Sequence, residues 1–203
     1  MNDQELFIEY ESRYSNYLID LAVRLEKHLI DHLTDAERID RVSARAKSPN
    51  RFIDKAAKIE KNKKKYSDPM KQIQDQIGAR IITFYLDDVE KVSQIIDKYY
   101  RFIESRSLIP ENESEFGYVG KHYILFIPED LFLDAESKKI LPNFFELQIK
   151  TLFQHAWSEA NHDLGYKTDE ILTPSQKRLI AFTSAQAWGA DHIFENLRKD
   201  LAS

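Results

Sequence analysis

A sheet flanked by helices, of the α/β or α+β class with further helices at both ends, is predicted by two hydrophobic periods that alternate along the chain. ARIITFYL, KHYILFIP and NFFELQIK are short, β-branched and aromatic, as strands are. Between them, apolar residues recur at helical spacing, as Val89, Val92, Ile96 and Tyr99 do. No internal repeat, low-complexity tract or Pro/Gly-rich linker divides the 203 residues, so one domain is expected.

The first helix is expected over about residues 3–33, where Leu6, Tyr10, Tyr14, Tyr17, Leu21, Leu25 and Leu29 share a face. Thr34 and Glu37 fit a capping box and predict a second helix start. RIDRVSARAKS changes to a period of two, a short strand with Ser43, Arg45 and Lys47 on one face. Ser48 as N-cap and Pro49 at the first helical position open a helix through about Lys61. The strand in ARIITFYL precedes a helix in DDVEKVSQIIDKYY, which a strand from about Arg101 to Ser107 follows. After the polar loop PENESEFGYVG come the strands in KHYILFIP and NFFELQIK and a helix from about Leu152 to Leu164. Thr173, Pro174 and Gln176 open a long last helix carrying Leu179, Phe182, Ile193, Phe194 and Leu197, and Trp157 and Trp188 are assigned to the core.

At 42% hydrophobic and 31% charged residues the composition is that of a soluble globular protein. The absence of cysteine excludes disulfides and thiolate metal sites. No apolar run approaches the roughly 18 residues of a membrane span, and the N-terminus has no signal-peptide pattern, so no membrane association and a cytoplasmic location are expected. A net charge of −5 argues against wholesale coating of nucleic acid, while leaving room for a local basic patch.

The segment from Phe144 to Tyr166 concentrates polar groups where a half-buried strand usually avoids them. Glu146, Gln148 and Lys150 share one strand face, opposite Phe145, Leu147 and Ile149. Asp75 stands at the entrance of another strand, with Gly78 close behind. Two carboxylates from neighbouring strands can hold Mg²⁺, which prefers oxygen ligands. Arg45, Lys47, Lys55 and Arg80 are cations suited to polyphosphate. The plainer alternative has Asp75 capping a turn and Glu146 paired with a lysine. Tyr118 in FGYVGKH offers a stacking surface for a base; an ordinary turn with a packing tyrosine is the alternative. His155, Glu159 and His162 share a helix face and allow a zinc site, though phosphate donors or packed histidines fit equally. KNKKKY, from Lys61 to Tyr66, is a basic cluster, either a solvated helix end or a contact for nucleic-acid phosphates.

These pieces, in this order, resemble the synthetase domain of the RelA/SpoT family of alarmone synthetases over about Arg45 to Tyr166. The family's R-x-K with a following Ser and Lys matches Arg45, Lys47, Ser48 and Lys55. Its D-x-x-G-x-R matches Asp75, Gly78 and Arg80, and its G-Y-x-S-x-H appears as GYVGKH. Its E-x-Q-x-R-T appears as ELQIKT, and its closing H-x-x-x-Y matches His162 and Tyr166.

The resemblance implies a mixed five-stranded sheet flanked by helices, akin to nucleotidyltransferases, with a core of about 40–167 and helical extensions over 1–39 and 168–203. It implies a pyrophosphokinase in which the 3′-hydroxyl of GDP or GTP attacks the β-phosphorus of ATP, making (p)ppGpp and releasing AMP. Asp75 and Glu146 would hold Mg²⁺ and be catalytic, Glu146 also assisting deprotonation of the hydroxyl. Arg45 and Arg80 would sandwich adenine, with Lys47, Ser48 and Lys55 on the ATP phosphates. Tyr118 would stack on guanine, with His122, Gln148 and Lys150 near the acceptor's or the transferred phosphates. Two positions depart from the family: Gly120 replaces the loop serine and Lys150 the arginine. The resemblance is to the small single-domain members, some of which modify the 3′ end of tRNA instead. That acceptor, a non-catalytic nucleotide-binding module and a homo-oligomer all stay open.

Overall fold

The computed structural model of the protein describes residues 2–107, 117–118, 120–167 and 172–202, with the backbone alone at 165–167. The chain begins with α1 (Asp3–Arg13), a π-helical turn (Tyr14–Leu18) and α2 (Ile19–His32). Next come β1 (Ile39–Ala46), α3 (Pro49–Ala56), a small hairpin of β2 (Ile59–Glu60) and β3 (Lys63–Lys64), and the short α4 (Pro69–Gln72). A 3₁₀ turn (Gln74–Gln76) leads into β4 (Ile77–Thr83), then α5 (Leu86–Tyr99) and β5 (Phe102–Ser107). β6 (Lys121–Phe126), α6 (Ala135–Ile140), β7 (Phe144–Thr151), α7 (Leu152–Lys167) and α8 (Pro174–Ala202) complete it.

The mixed five-stranded sheet expected from the sequence is present, in the order β1-β4-β7-β6-β5. β4 and β7 run parallel, and the other neighbours are antiparallel. Alternation along each strand sorts its side chains between the faces. Ala79, Ile81, Leu147 and Ile149 point into one core with Leu21, Leu25 and Leu29 of α2 and Val89, Val92 and Ile96 of α5. Ser43, Arg45, Gly78, Arg80, Glu146 and Gln148 occupy the other face and border an open cavity. The polar residues of the strand at Phe144–Thr151 are thus kept out of the hydrophobic layer.

Several expected elements differ. No helix starts at Thr34: the chain turns over 33–35 and enters β1 through Arg38, whose φ is 56°. Arg38 is held there by a bidentate ion pair with the buried Asp88. The helix opened by Pro49 ends at Ala56 instead of about Lys61: Ile59 and Glu60 already form β2, and Lys61 and Asn62 adopt left-handed φ values of 52° and 63°. Two consecutive left-handed residues make the tight turn that joins β2 to β3. The basic cluster is therefore a hairpin and not a helix end. Trp188 is 45% exposed, not core, and Leu179, Phe182, Ile193, Phe194 and Leu197 of α8 are exposed as well. No helix among the described residues is long and apolar enough to cross a membrane.

Candidate active site

A cavity of about 780 Å³ opens on the polar face of the sheet, between β1, α3, β4 and β7. That size suits a small ligand such as a nucleotide. Arg45, Lys47, Ser48, Lys55, Asp75, Arg80, Glu146 and Gln148, all singled out in the sequence, line it together. Register explains the convergence, since Arg45 is paired across to Gly78 and Gly78 to Glu146. An added Cβ at Gly78 would meet nothing within 4 Å, so the missing side chain leaves the floor of the cavity open between an arginine and a carboxylate.

Asp75 sits in the 3₁₀ turn with φ −95° and ψ 34°, outside helical geometry. Its Oδ2 receives Lys47 Nζ at 3.0 Å and Lys55 Nζ at 2.8 Å, and its Oδ1 is buried without a hydrogen-bond partner. Ser48 takes the extended backbone of an N-cap, φ −61° and ψ 151°, yet its side chain makes no capping bond. Pro49 removes one of the N–H groups such a cap would otherwise serve.

Glu146 accepts hydrogen bonds on Oε1 from Gln148 Nε2 at 3.1 Å and His122 Nδ1 at 3.2 Å. Burial pushes its pKa up, but these bonds and the charges of His122 and Lys55 outweigh it and hold the carboxyl at about 2. Glu146 is thus ionised throughout the neutral range. Gln148 Oε1 and His122 Nε2 remain buried and unbonded. Buried polar groups normally find partners, so the unbonded Asp75 Oδ1 and Gln148 Oε1, both on residues that line the cavity, are positions a ligand could satisfy.

Cations dominate the far side. Burial, reinforced by Arg80 and Arg51, lowers the pKa of Arg45. Arg80 donates to Glu159 of α7 at 2.7 Å. Lys150 is buried, its Nζ 3.0 Å from Ser158 Oγ, and desolvation with the nearby Arg80 lowers its pKa to about 8. The pair with Arg80 removes Glu159 from the imagined zinc trio. Among the described residues no group of three His, Cys, Asp or Glu is disposed to hold a metal ion. His162 lines the cavity, whereas the Tyr166 side chain lies outside the described residues.

For Mg²⁺ the donor chemistry fits. Asp75 and Glu146 border the same cavity, Asp75 Oδ1 is buried and unpaired, and Glu146 is held ionised. Hard oxygen donors beside open volume suit a cation that retains waters and binds phosphates.

Tyr118 departs from the expected exposed stacking ring. It is only 8% exposed, and its hydroxyl donates to Asp191 Oδ2 of α8 at 2.5 Å. Gly120 accounts for part of this tight docking. An added Cβ there would lie 2.3 Å from the Ile149 carbonyl oxygen and 2.6 Å from Lys150 Cγ. Backbone at that distance cannot yield as a flexible side chain can. Gly120→Ala, and equally Gly120→Ser with the family's residue, should lower stability by about 1–3 kcal/mol. Thermal melts would register this as a fall of some 2–4 °C per kcal/mol, and an unchanged melting temperature would contradict the close approach.

Sequence reasoning missed other lining residues. Arg51, Asp54 and Lys58 border the cavity beside Lys55, and their helical spacing in NRFIDKAAK was the available signal. Tyr14 also lines it, although its spacing had placed it on the buried stripe of the first helix. No sequence signal separated it from Tyr10 and Tyr17.

Known proteins give a consistent comparison. The family model for the region found in RelA / SpoT proteins matches residues 44–171. A GTP pyrophosphokinase of Bacillus subtilis (strain 168), YjbM, is 26% identical over 195 residues, covering 93% of this chain and 86% of its own. Small alarmone synthetase 1 of Bacillus subtilis, solved with its product pppGpp, superimposes with a TM-score of 0.72 at 22% identity, covering 98% of this chain and 100% of that one. A GTP pyrophosphokinase family protein of Streptococcus pneumoniae gives 0.71 at 22% identity, covering 96% and 94%.

Proposed function

From the premise that the chain belongs to the RelA/SpoT family, as a single small domain of the small alarmone synthetase type, we propose that it transfers pyrophosphate from ATP to the 3′-hydroxyl of GDP or GTP. One observation carries the reading: an ionised Glu146 and a half-unpaired Asp75 face a surplus of cations across one nucleotide-sized cavity. Phosphoryl-type transfer asks mainly for positioning and charge stabilisation, and these residues supply both.

Arg45 and Arg80 would sandwich adenine, their mutual repulsion relieved when an aromatic ring and phosphates separate them. Lys47 and Lys55 both donate to Asp75 and exchange part of that contact for the ATP phosphates, beside the uncapped Ser48. The attacking O3′ forms its bond to the β-phosphorus as the bond to the bridging α–β oxygen breaks, and AMP leaves. With a pKa of about 2, Glu146 orients the hydroxyl and stabilises its emerging charge more than it abstracts the proton. A bound Mg²⁺, held by Asp75 and Glu146, would neutralise charge on the phosphates. His122, Gln148 and Lys150 follow along the same face toward the acceptor, His122 pairing across to Gln148.

Transfer to tRNA is the second reading, favoured by the position of the basic hairpin. Lys58 lines the cavity, and the Lys65 amide donates to the Lys58 carbonyl at 2.8 Å. The hairpin therefore starts at the rim, and the cluster is less remote than the sequence suggested. Incubating the protein with labelled ATP and GDP, GTP or bulk tRNA separates the readings. With a guanine nucleotide as acceptor, Lys63→Glu combined with Lys64→Glu should change the rate little. Labelled tRNA, lost in that double variant and falling steeply with salt at about −0.7 to −0.9 per phosphate contact, would establish the second reading instead. ATP binding without transfer to any of the three would leave a nucleotide-binding module.

A further inference from the structure

We infer that Asp191 of α8 is a positioning residue that sets the acceptor's affinity by holding Tyr118 against the helix and away from the cavity. The inference rests on the proposed function together with the role that the family resemblance implies for Tyr118, stacking on the acceptor's base. Asp191 is 1% exposed, and its Oδ2 accepts hydrogen bonds from the Tyr118 hydroxyl at 2.5 Å and from Thr151 Oγ1 at 2.6 Å. Thr151 ends β7, the strand that carries Glu146, Gln148 and Lys150. Gln154 fastens that end, its Oε1 accepting from the Thr151 amide at 2.9 Å and its amide donating to Thr151 Oγ1 at 3.0 Å. The contact is therefore anchored in the same strand as the site. Burial and the hydrogen bond to Asp191 both raise the pKa of the Tyr118 phenol, so it remains a donor at neutral pH.

A ring that is 8% exposed cannot present a face to a base. An acceptor stacking on Tyr118 must first displace the hydroxyl from Asp191, and its apparent affinity falls by the fraction of molecules in which that contact is open. Burial raises the pKa of Asp191 while the bonds from Thr151 and Tyr118 oppose that rise, and breaking one of its two hydrogen bonds makes the reduction on the order of tenfold. Tyr118→Phe keeps the ring and deletes the donor, while Asp191→Ala deletes the acceptor. Both should lower the KM for GDP or GTP on the order of tenfold, with the KM for ATP as the internal reference. Simple loss of packing would raise KM or lower kcat instead.

Nitration of Tyr118 by tetranitromethane, followed by peptide mass spectrometry on substrate-free protein, reads the contact without relying on activity. Tyr118 should be nitrated slowly in the wild type and several times faster in Asp191→Ala. Wild-type nitration as fast as in the denatured chain would overturn the inference, because the contact would not be held. Slow nitration with an unchanged acceptor KM in both variants would overturn it from the other side, by removing Tyr118 from the acceptor site. Failure of the underlying function is distinguishable: the wild type would then transfer to no guanine nucleotide, whatever its nitration pattern.

Discussion

Glu146→Gln and Asp75→Asn should each lower the rate of transfer by at least about a hundredfold while the protein stays folded. Each removes a carboxylate that would hold Mg²⁺ against the developing phosphate charge, and several kcal/mol of transition-state stabilisation go with it. Glutamine keeps a carbonyl oxygen that can still accept from His122 and Gln148 at the position of Glu146 Oε1. Asparagine at 75 leaves Lys47 and Lys55 facing each other around a neutral amide. Some stability is lost in Glu146→Gln, and its pH dependence has a definite sign. A carboxyl depressed to about 2 contributes stability above its unfolded pKa, and the contribution disappears as pH falls toward about 2. The melting temperatures of wild type and Glu146→Gln should therefore converge in acid. Near wild-type turnover in either single variant would remove both carboxylates from the mechanism.

Lys150→Met should separate activity from stability in the opposite direction. The ammonium is buried, and its pKa of about 8 means that folding pays to keep it charged at neutral pH. Methionine removes that penalty, of order 3 kcal/mol, although Ser158 loses the Nζ donor at 3.0 Å. The variant should melt at or above the wild-type temperature, yet transfer should fall about tenfold or more, because the proposed phosphate contact of Lys150 goes with the ammonium. The wild type should lose activity as pH rises through about 8, where Lys150 deprotonates. Its stability should rise between about pH 8 and the unfolded lysine value near 10.4, because there the unfolded chain binds more protons. Lys150→Arg would keep its charge throughout and should abolish that alkaline limb. An alkaline limb that survives in Lys150→Arg would assign it to another group.

The strands and the site residues on them were legible because each is a local signal. β-branched runs define β4 and β7, and the period of two places Glu146, Gln148 and Lys150 on one face whatever lies beyond. What was hidden depends on contacts distant in sequence. Nothing near Tyr118 shows that Asp191, 73 residues away, takes its hydroxyl. The helix beginning at Pro49 read as longer because Lys58 to Lys64 carries no glycine or proline, and its left-handed turn falls on Lys61 and Asn62. Asparagine tolerates that region, but lysine there is uncommon. Hydrophobicity alone places Trp188 in the core, and Leu179, Phe182, Ile193, Phe194 and Leu197 share its helix. They are exposed, while the polar Ser184, Asp191 and Glu195 of the same helix are buried.

The π-helical turn at Tyr14–Leu18 bears on how portable the cavity is. A residue added to one turn rotates the rest of a helix about its axis. Upstream of it, Tyr10 stacks on Phe52 at 3.7 Å between ring centroids and donates to the Lys47 carbonyl at 2.9 Å. At its start, Tyr14 borders the cavity, and Arg13 reaches the Met70 carbonyl and Gln76 Oε1, both at 3.3 Å, beside Asp75. The match to the family model begins at residue 44, so one wall of the cavity comes from outside the matched region. Transplanting residues 44–171 into another scaffold would carry both carboxylates and leave that wall behind. Exchanging the leading helix between relatives, by contrast, would change that wall while every motif residue stayed in place.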